Sequence, residues 1–155
     1  MPVTIPSTPA PTSQALEQLA AIVAEPLPES YLAFVQKHDG AEPESNIIDL
    51  GSDDSSGVRR FISVAEASSA SYPVDGFPRS CIPLAEDDCG NYFYLSLSSG
   101  QVFFWDHEIE GGDQLLANDL PGFLNLLRPF DDSSVKLTPG QVLRVWTRPG
   151  FKPEF

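Results

Sequence analysis

The chain has 155 residues, of which 41% are hydrophobic and 10% aromatic, and this composition is sufficient for one domain with its own core. The formal net charge is −13 at pH 7, which repels nucleic-acid phosphates and anionic lipid headgroups. These values argue against a nucleic-acid-binding protein and against a membrane-surface protein.

Cysteine content and hydropathy predict a cytoplasmic protein. Cys81 and Cys89 are the two cysteines, too few for the disulfide framework of a secreted domain. No apolar run approaches the roughly 20 residues that cross a bilayer. Residues 1–12 are rich in proline and lack the apolar centre of a signal peptide, so we expect a flexible N-terminal segment there.

Two helices are predicted to follow. Ser13 is a suitable cap for a helix over 14–25, and apolar residues at helical spacing give it a buried stripe: Leu16, Leu19, Ala20 and Val23. A second helix is predicted to begin at Pro28, where a missing N–H costs nothing, and to end at Gly40. Lys37 and His38 suit the negative end of this helix.

The middle of the chain predicts strands. Residues 46–50 and 58–64 read as strands separated by a polar loop over 51–57, and Ser63 with Glu66 has the spacing of a capping box for a short helix over 63–71. Residues 73–78 are expected to form a loop. Residues 81–85 read as a strand, and Pro83 places it at an edge or makes it irregular.

The stretch 82–108 is the most informative part of the sequence. Runs 92–97 and 101–106 read as a hairpin. In each run, apolar side chains occur at both odd and even positions, and thus on both faces. Since a solvent-facing hairpin alternates apolar and polar residues, we place this one centrally, covered on both faces. A flexible turn over 110–113 and a helix over 119–127, capped by Asp119, complete an α+β domain with a mostly antiparallel sheet and helices packed against it.

The domain is predicted to span residues 13–130. Residues 131–155 form a C-terminal extension in which 142–146 reads as a possible edge strand packed on the domain. The extension could instead fold back on an acidic face of the domain, because it carries four basic residues: Lys136, Arg144, Arg148 and Lys152. Trp146 is expected to pack within the extension, or else to anchor an interface.

The charge excess lies between residues 39 and 119, where three bases and sixteen acids sum to −13, while the segments before and after sum to −2 and +2. Such a region attracts a basic partner and speeds its encounter. The alternative is that the acidity only aids solubility.

Four carboxylates near the ends of the hairpin form the strongest candidate site: Asp87, Asp88, Asp106 and Glu108. They are expected to meet Lys or Arg of a protein partner through charge-assisted pairs. In the alternative interpretation, they cap backbone groups and face water. Asp53 and Asp54 form a weaker second group, and Glu42 and Glu44 extend the acidic face or are solvated loop charges.

The remaining polar residues are assigned structural roles. Gly90 is expected to supply a positive φ or a close approach of the backbone, and Asn91 to bond backbone in the same turn. The spacing of Cys81, Cys89 and His107 matches no zinc pattern, so we expect buried or half-buried thiols and no metal site.

The order of several motifs resembles the SUKH superfamily. The segment Leu27-Pro-Glu-Ser-Tyr-Leu-Ala-Phe34 before Gly40 resembles the opening helix of this superfamily, and 82–85 followed by 88–92 resembles its central motif. Residues 100–108 resemble the next strand, and 116–124 resemble the closing helix. These motifs lie in the family's order across about two thirds of the chain. Ser96 departs from the pattern, which often has aspartate there.

The resemblance implies an α+β fold, no catalytic residues and no cofactor. Its bacterial members are mostly regarded as immunity proteins, each of which neutralises a polymorphic toxin encoded beside it. We therefore expect a protein that binds a basic cognate toxin stoichiometrically and binds neither nucleic acid nor a membrane. A non-enzymatic scaffold or regulator, like the yeast cell-wall-synthesis regulators, is the alternative. An enzyme would need a pocket with convergent polar groups, which the sequence does not supply.

Overall fold

A computed structural model describes residues 4–50, 55–69, 77–78, 80–109, 111 and 113–129. Four helices lie in this part of the chain: α1 (Ser13–Val23), α2 (Glu29–His38), α3 (Val64–Ala67) and α4 (Leu120–Leu126). Seven strands accompany them: β1 (Ile47–Asp49), β2 (Ser55–Gly57), β3 (Arg60–Phe61), β4 (Cys81–Glu86), β5 (Tyr92–Ser96), β6 (Val102–Trp105) and β7 (Gln114–Ala117). The predicted α+β class is confirmed.

All of these strand pairs are antiparallel. Strands β3 to β7 form one sheet in chain order, and β1 and β2 form a separate pair. The predicted hairpin β5–β6 occupies the third and fourth positions of the five-stranded sheet, so the prediction of a central hairpin is confirmed. Strand β4 lies beside β5 and not at an edge, which corrects the edge assignment. The predicted irregularity is present as a register shift between Pro83 and Ala85.

Both faces of the hairpin are covered because alternate side chains pack into two different aromatic clusters. On one face, Phe93 lies 5.3 Å from Phe104 and 5.6 Å from Phe123 of α4, measured between ring centroids. On the other face, Phe77 contacts Tyr92, Tyr94 and Trp105 edge-on. The continuous apolar run in the sequence thus reflects burial on two sides, which holds the hairpin rigidly in the sheet.

Two strands were missed because their sequences lack the usual signal. Residues Ser55–Gly57 were predicted as loop and instead pair with β1, while Gln114–Ala117 follow the predicted turn and pair with β6. The predicted strand over 58–64 is reduced to Arg60–Phe61, since Val64 already begins α3. The cap of α1 is Thr12 and not Ser13: the Thr12 hydroxyl accepts from the N–H of Ala15 at 3.1 Å.

The N-terminal segment lies along the end of α2. The backbone N–H of Thr8 donates to the backbone carbonyl of Lys37 at 2.8 Å, and the Thr8 hydroxyl donates to the backbone carbonyl of Asp39 at 2.7 Å. His38 Nδ1 lies 2.8 Å from the Pro6 carbonyl oxygen, so His38 also ties this segment to α2 in addition to suiting the helix end. The boundaries predicted at residues 12 and 130 stay predictions.

An ion-pair group joins α3 to the end of β4. Arg60 Nη1 lies 2.6 Å from Glu66, and Arg60 Nε lies 2.7 Å from Glu86, next to the turn that carries the candidate site. Glu66 also completes the predicted capping box by accepting from the Ser63 N–H at 3.2 Å. The hydrogen bond from Arg60, with smaller help from Ser63, holds the pKa of Glu66 below its usual range despite partial burial.

Glu66→Gln is expected to lower the free energy of unfolding by about 1 kcal/mol at pH 7, since it weakens a cap and an ion pair that is partly open to water. A depressed carboxyl pKa stabilises the folded state above the unfolded-state pKa, and this stability is lost as the pH falls. In urea unfolding, the difference between the two proteins should therefore shrink as the pH falls below the usual glutamate pKa of about 4.3. Glu42→Gln, on an exposed side chain, is the control and should show no such difference.

Candidate functional site

Asp87 is the centre of a tight turn and not a surface contact. Its side chain is 6% exposed. One carboxylate oxygen accepts from the backbone N–H groups of Cys89 and Asn91, both at 2.8 Å. The other accepts from the Asn91 side-chain amide at 3.1 Å and from the Ser56 hydroxyl at 3.3 Å. Both oxygens are thus used inside the protein, and Asp87 fixes the turn over residues 87–91 against β2.

A second turn, over residues 106–109, is joined to the first through Asn91 and His107. The side-chain oxygen of Asn91 lies 2.9 Å from His107 Nδ1 and accepts from the His107 backbone N–H at 3.3 Å. Tyr92 pairs with Trp105 across the hairpin, so residues 91 and 106 leave the sheet side by side. The two turns therefore form one continuous end of the hairpin. The Asn91 side chain does bond backbone, but it is the backbone of His107 in the second turn and not, as the sequence predicts, that of its own turn.

Gly90 allows the close approach of these turns. Its φ is +85°, as the sequence predicts, and a Cβ at this position would lie 3.3 Å from His107 Cε1. A side chain would meet both a left-handed backbone and an imidazole ring that has its own hydrogen bonds. The geometry of the two turns is thus sufficient to explain a glycine at this position.

Gly90→Ala is expected to destabilise the protein by about 1–2 kcal/mol, because it combines the left-handed penalty with the His107 contact. Gly100→Ala is the matched control. Gly100 has a φ of +76° and nothing within 4 Å of the added Cβ, so it carries the backbone penalty alone. Urea midpoints measure both variants, and an equal loss would show that the His107 contact costs nothing.

Three of the predicted carboxylates remain available at this end of the hairpin. Asp88 and Glu108 are exposed, and Asp106 is half-buried with one oxygen accepting from the Glu108 N–H at 2.9 Å. In the described part of the chain, no Lys or Arg forms an ion pair with them, and Glu108 lies 4.0 Å from His107 Nε2.

Ile109 belongs to the same surface and was missed by the sequence analysis. Its side chain is 56% exposed, at the end of the turn that carries Asp106 and Glu108. It is a large apolar side chain directly after the Glu108 carboxylate. The available signal was an isoleucine between Glu108 and Glu110 just before two glycines. We call Asp88, Asp106, Glu108 and Ile109 the acidic turn surface.

The second predicted group is not located. Asp53 and Asp54 lie outside the described residues, and their contribution stays a prediction. Glu42 and Glu44 are exposed, in the segment between α2 and β1. Trp146 and the possible strand over 142–146 also lie outside the described residues.

The cysteines show no arrangement for metal binding. Across the described ranges, His, Cys, Asp and Glu form no cluster that could hold a metal ion. Cys81 is half-buried, as predicted, but Cys89 is exposed, so the prediction of a buried or half-buried thiol is wrong for Cys89. Cys89 follows Asp88 in the turn, where the chain points into solvent. Among the helices described, none combines the length and hydropathy needed to cross a membrane.

Comparison with known sequences identifies the family. The sequence profile of the SMI1 / KNR4 family (SUKH-1) matches residues 10–126, which is more than half of the chain and includes all four helices and both turns. The chain belongs to this family. The resemblance inferred from the separate motifs is therefore confirmed, and the SUKH-1 match covers every described residue of the acidic turn surface.

One curated protein is similar to this chain. The chain is 26% identical over 139 residues to a SPbeta prophage-derived uncharacterized protein, YokK, of Bacillus subtilis (strain 168). The match covers 73% of this chain and 72% of the relative. The similarity therefore extends over most of both proteins.

Proposed function

We propose that this member of the SUKH-1 family is an immunity protein that binds and neutralises a cognate bacterial toxin by stoichiometric association in the cytoplasm. The acidic turn surface is the observation that carries the proposal. It presents the exposed carboxylates of Asp88 and Glu108, with which no Lys or Arg of the described residues forms an ion pair, and the exposed side chain of Ile109, from two turns that are fixed to each other. Family membership supports the same function, since bacterial SUKH proteins are mostly regarded as immunity proteins.

Rigidity is the property that suits this surface to tight binding. Asp87 and Asn91 hold one turn, and Asn91 and His107 hold the second, so the carboxylates lose little conformational freedom when a partner docks. Ile109 supplies apolar area that is removed from water, while Asp88 and Glu108 select a basic surface and speed its approach.

The proposed activity is binding and not catalysis. Asn91 already contacts Nδ1 of His107, and the backbone N–H of Glu108 already donates to one oxygen of Asp106. Within the proposal, the chain needs neither a cofactor nor a metal, and its partner is a basic protein.

The decisive experiment mixes the full-length protein with the product of the adjacent gene. A 1:1 complex in size-exclusion chromatography, together with loss of the toxin's activity, is the expected result. Growth of cells that express the toxin should be rescued by the full chain. A neighbouring product that is not toxic, or that forms no complex at low salt, would contradict the proposal and favour the scaffold alternative.

A further inference from the structure

A cavity of about 410 Å³ lies away from the acidic turn surface, between the end of α1 and the start of β4. Ile22 and Ala24 line it from the helix, and Phe77, Pro78 and Cys81 line it from the chain that enters the sheet. Cys81 pairs with Ser96 at the far end of β5, whereas the acidic turns adjoin Tyr92 at the near end. The β4 side of the cavity therefore lies at the opposite end of β5 from the acidic turns.

The walls of this cavity are mainly apolar and include an incompletely buried helix residue. Ile22 is 48% exposed although Val23, the next residue, is buried. Phe77 extends the apolar wall to the ring cluster of Tyr92, Tyr94 and Trp105. A volume of this size accommodates a large side chain, and burying a Leu or Phe there would be favourable.

Two carboxylates are close to residues that line the cavity, although they do not line it themselves. Glu25 directly follows Ala24, whose φ of 58° ends α1 and turns the chain. Asp113 accepts a hydrogen bond from the Tyr94 hydroxyl. Burial raises the pKa of the Cys81 thiol to about 11, and the negative charges of Asp113 and Glu25 add to this effect, as expected for carboxylates close to the sulfur. Neither carboxylate has an ion pair in the described residues, and Arg79 lies outside them.

We propose that this cavity receives an apolar side chain of a partner protein whose sequence neighbours are Lys or Arg. The apolar side chain would pack against Ile22 and Phe77, and its basic neighbours would meet Glu25 and Asp113. Charge complementarity selects such a segment over an acidic one. Ile22 is 48% exposed, so it has apolar area left to bury against such a partner. The inference does not depend on the toxin-binding proposal, which concerns the other end of the sheet.

A short peptide tests the inference on the full-length, nitrogen-15-labelled protein by NMR titration. The probe is the blocked peptide Gly-Arg-Leu-Arg-Gly. Its matched controls are Gly-Arg-Ser-Arg-Gly, without the apolar side chain, and Gly-Glu-Leu-Glu-Gly, with reversed charge. The probe should shift the backbone amides of Ile22, Ala24 and Cys81, and each control should bind at least about tenfold more weakly. Equal binding of all three peptides, or shifts centred on Asp88, would overturn the inference.

Variants of the protein test whether the two carboxylates beside the cavity, Glu25 and Asp113, contribute to probe binding. A further variant tests whether another segment occupies the cavity. Glu25→Gln with Asp113→Asn should weaken probe binding several-fold, while Glu17→Gln, on the exposed side of the same helix, should not. Unchanged binding by the double variant would overturn the role proposed for Glu25 and Asp113. If the probe binds only after Trp146→Ser, the chain's own segment, with Arg144 and Arg148 beside Trp146, is the occupant, and the partner proposal is overturned.

Discussion

Reversing two charges of the acidic turn surface is expected to slow association with a basic toxin by at least about tenfold at low ionic strength. The variant is Asp88→Lys with Glu108→Lys, and both side chains are exposed. Unlike charges steer two proteins into contact, so replacing attraction by repulsion acts mainly on the association rate. Stopped-flow mixing with the toxin encoded by the adjacent gene measures the effect.

The control for this prediction changes the net charge equally at another place. Glu17→Lys with Glu29→Lys alters exposed residues on α1 and α2 and shifts the net charge of the protein by the same four units. If steering comes from the acidic turn surface, the control should slow association much less, and added salt should reduce the difference between the two variants. Equal slowing would mean that overall charge, and not this surface, guides the encounter.

Asp87→Ala is expected to destabilise the protein by about 2–3 kcal/mol, because it leaves several hydrogen-bond donors of the turn without their acceptor. The lost bonds are those from Cys89, Asn91 and Ser56. Asp88→Ala, one residue later on an exposed side chain, should change stability by less than about 0.5 kcal/mol. Urea unfolding of both variants measures the difference.

The same two variants distinguish a residue that holds the turn in shape, Asp87, from a residue that contacts the partner, Asp88. Asp88→Ala should weaken toxin binding without loss of stability, whereas Asp87→Ala should act through the turn and shift the NMR signals of Asn91 and His107. Asp87→Asn keeps the size of the side chain and should be intermediate in stability. A fully stable Asp87→Ala variant would contradict the structural role assigned to Asp87.

Local signals in the sequence were sufficient for the helices and the central hairpin. Proline at position 28 and aspartate at position 119 mark helix starts, and they predict α2 and α4 to within about a residue. Aromatic residues at both odd and even positions of 92–97 and 101–106 predict a central hairpin that is covered on both faces. The sheet order confirms its central position. These features depend on neighbouring residues alone, so they can be read without knowledge of the fold.

The tertiary structure alone decided two features of the protein. These are the presence of strands β2 and β7 and the different roles of the neighbouring carboxylates Asp87 and Asp88. Ser55–Gly57 has no apolar pattern and is a strand because β1 offers hydrogen bonds to it. Asp87 and Asp88 are chemically the same residue type at adjacent positions. The turn directs one carboxylate inward to four donors and leaves the other in water, since donors from Ser56, Cys89 and Asn91 converge on one position. The sequence determined that this end of the hairpin is acidic, and packing determined which of its charges a partner can reach.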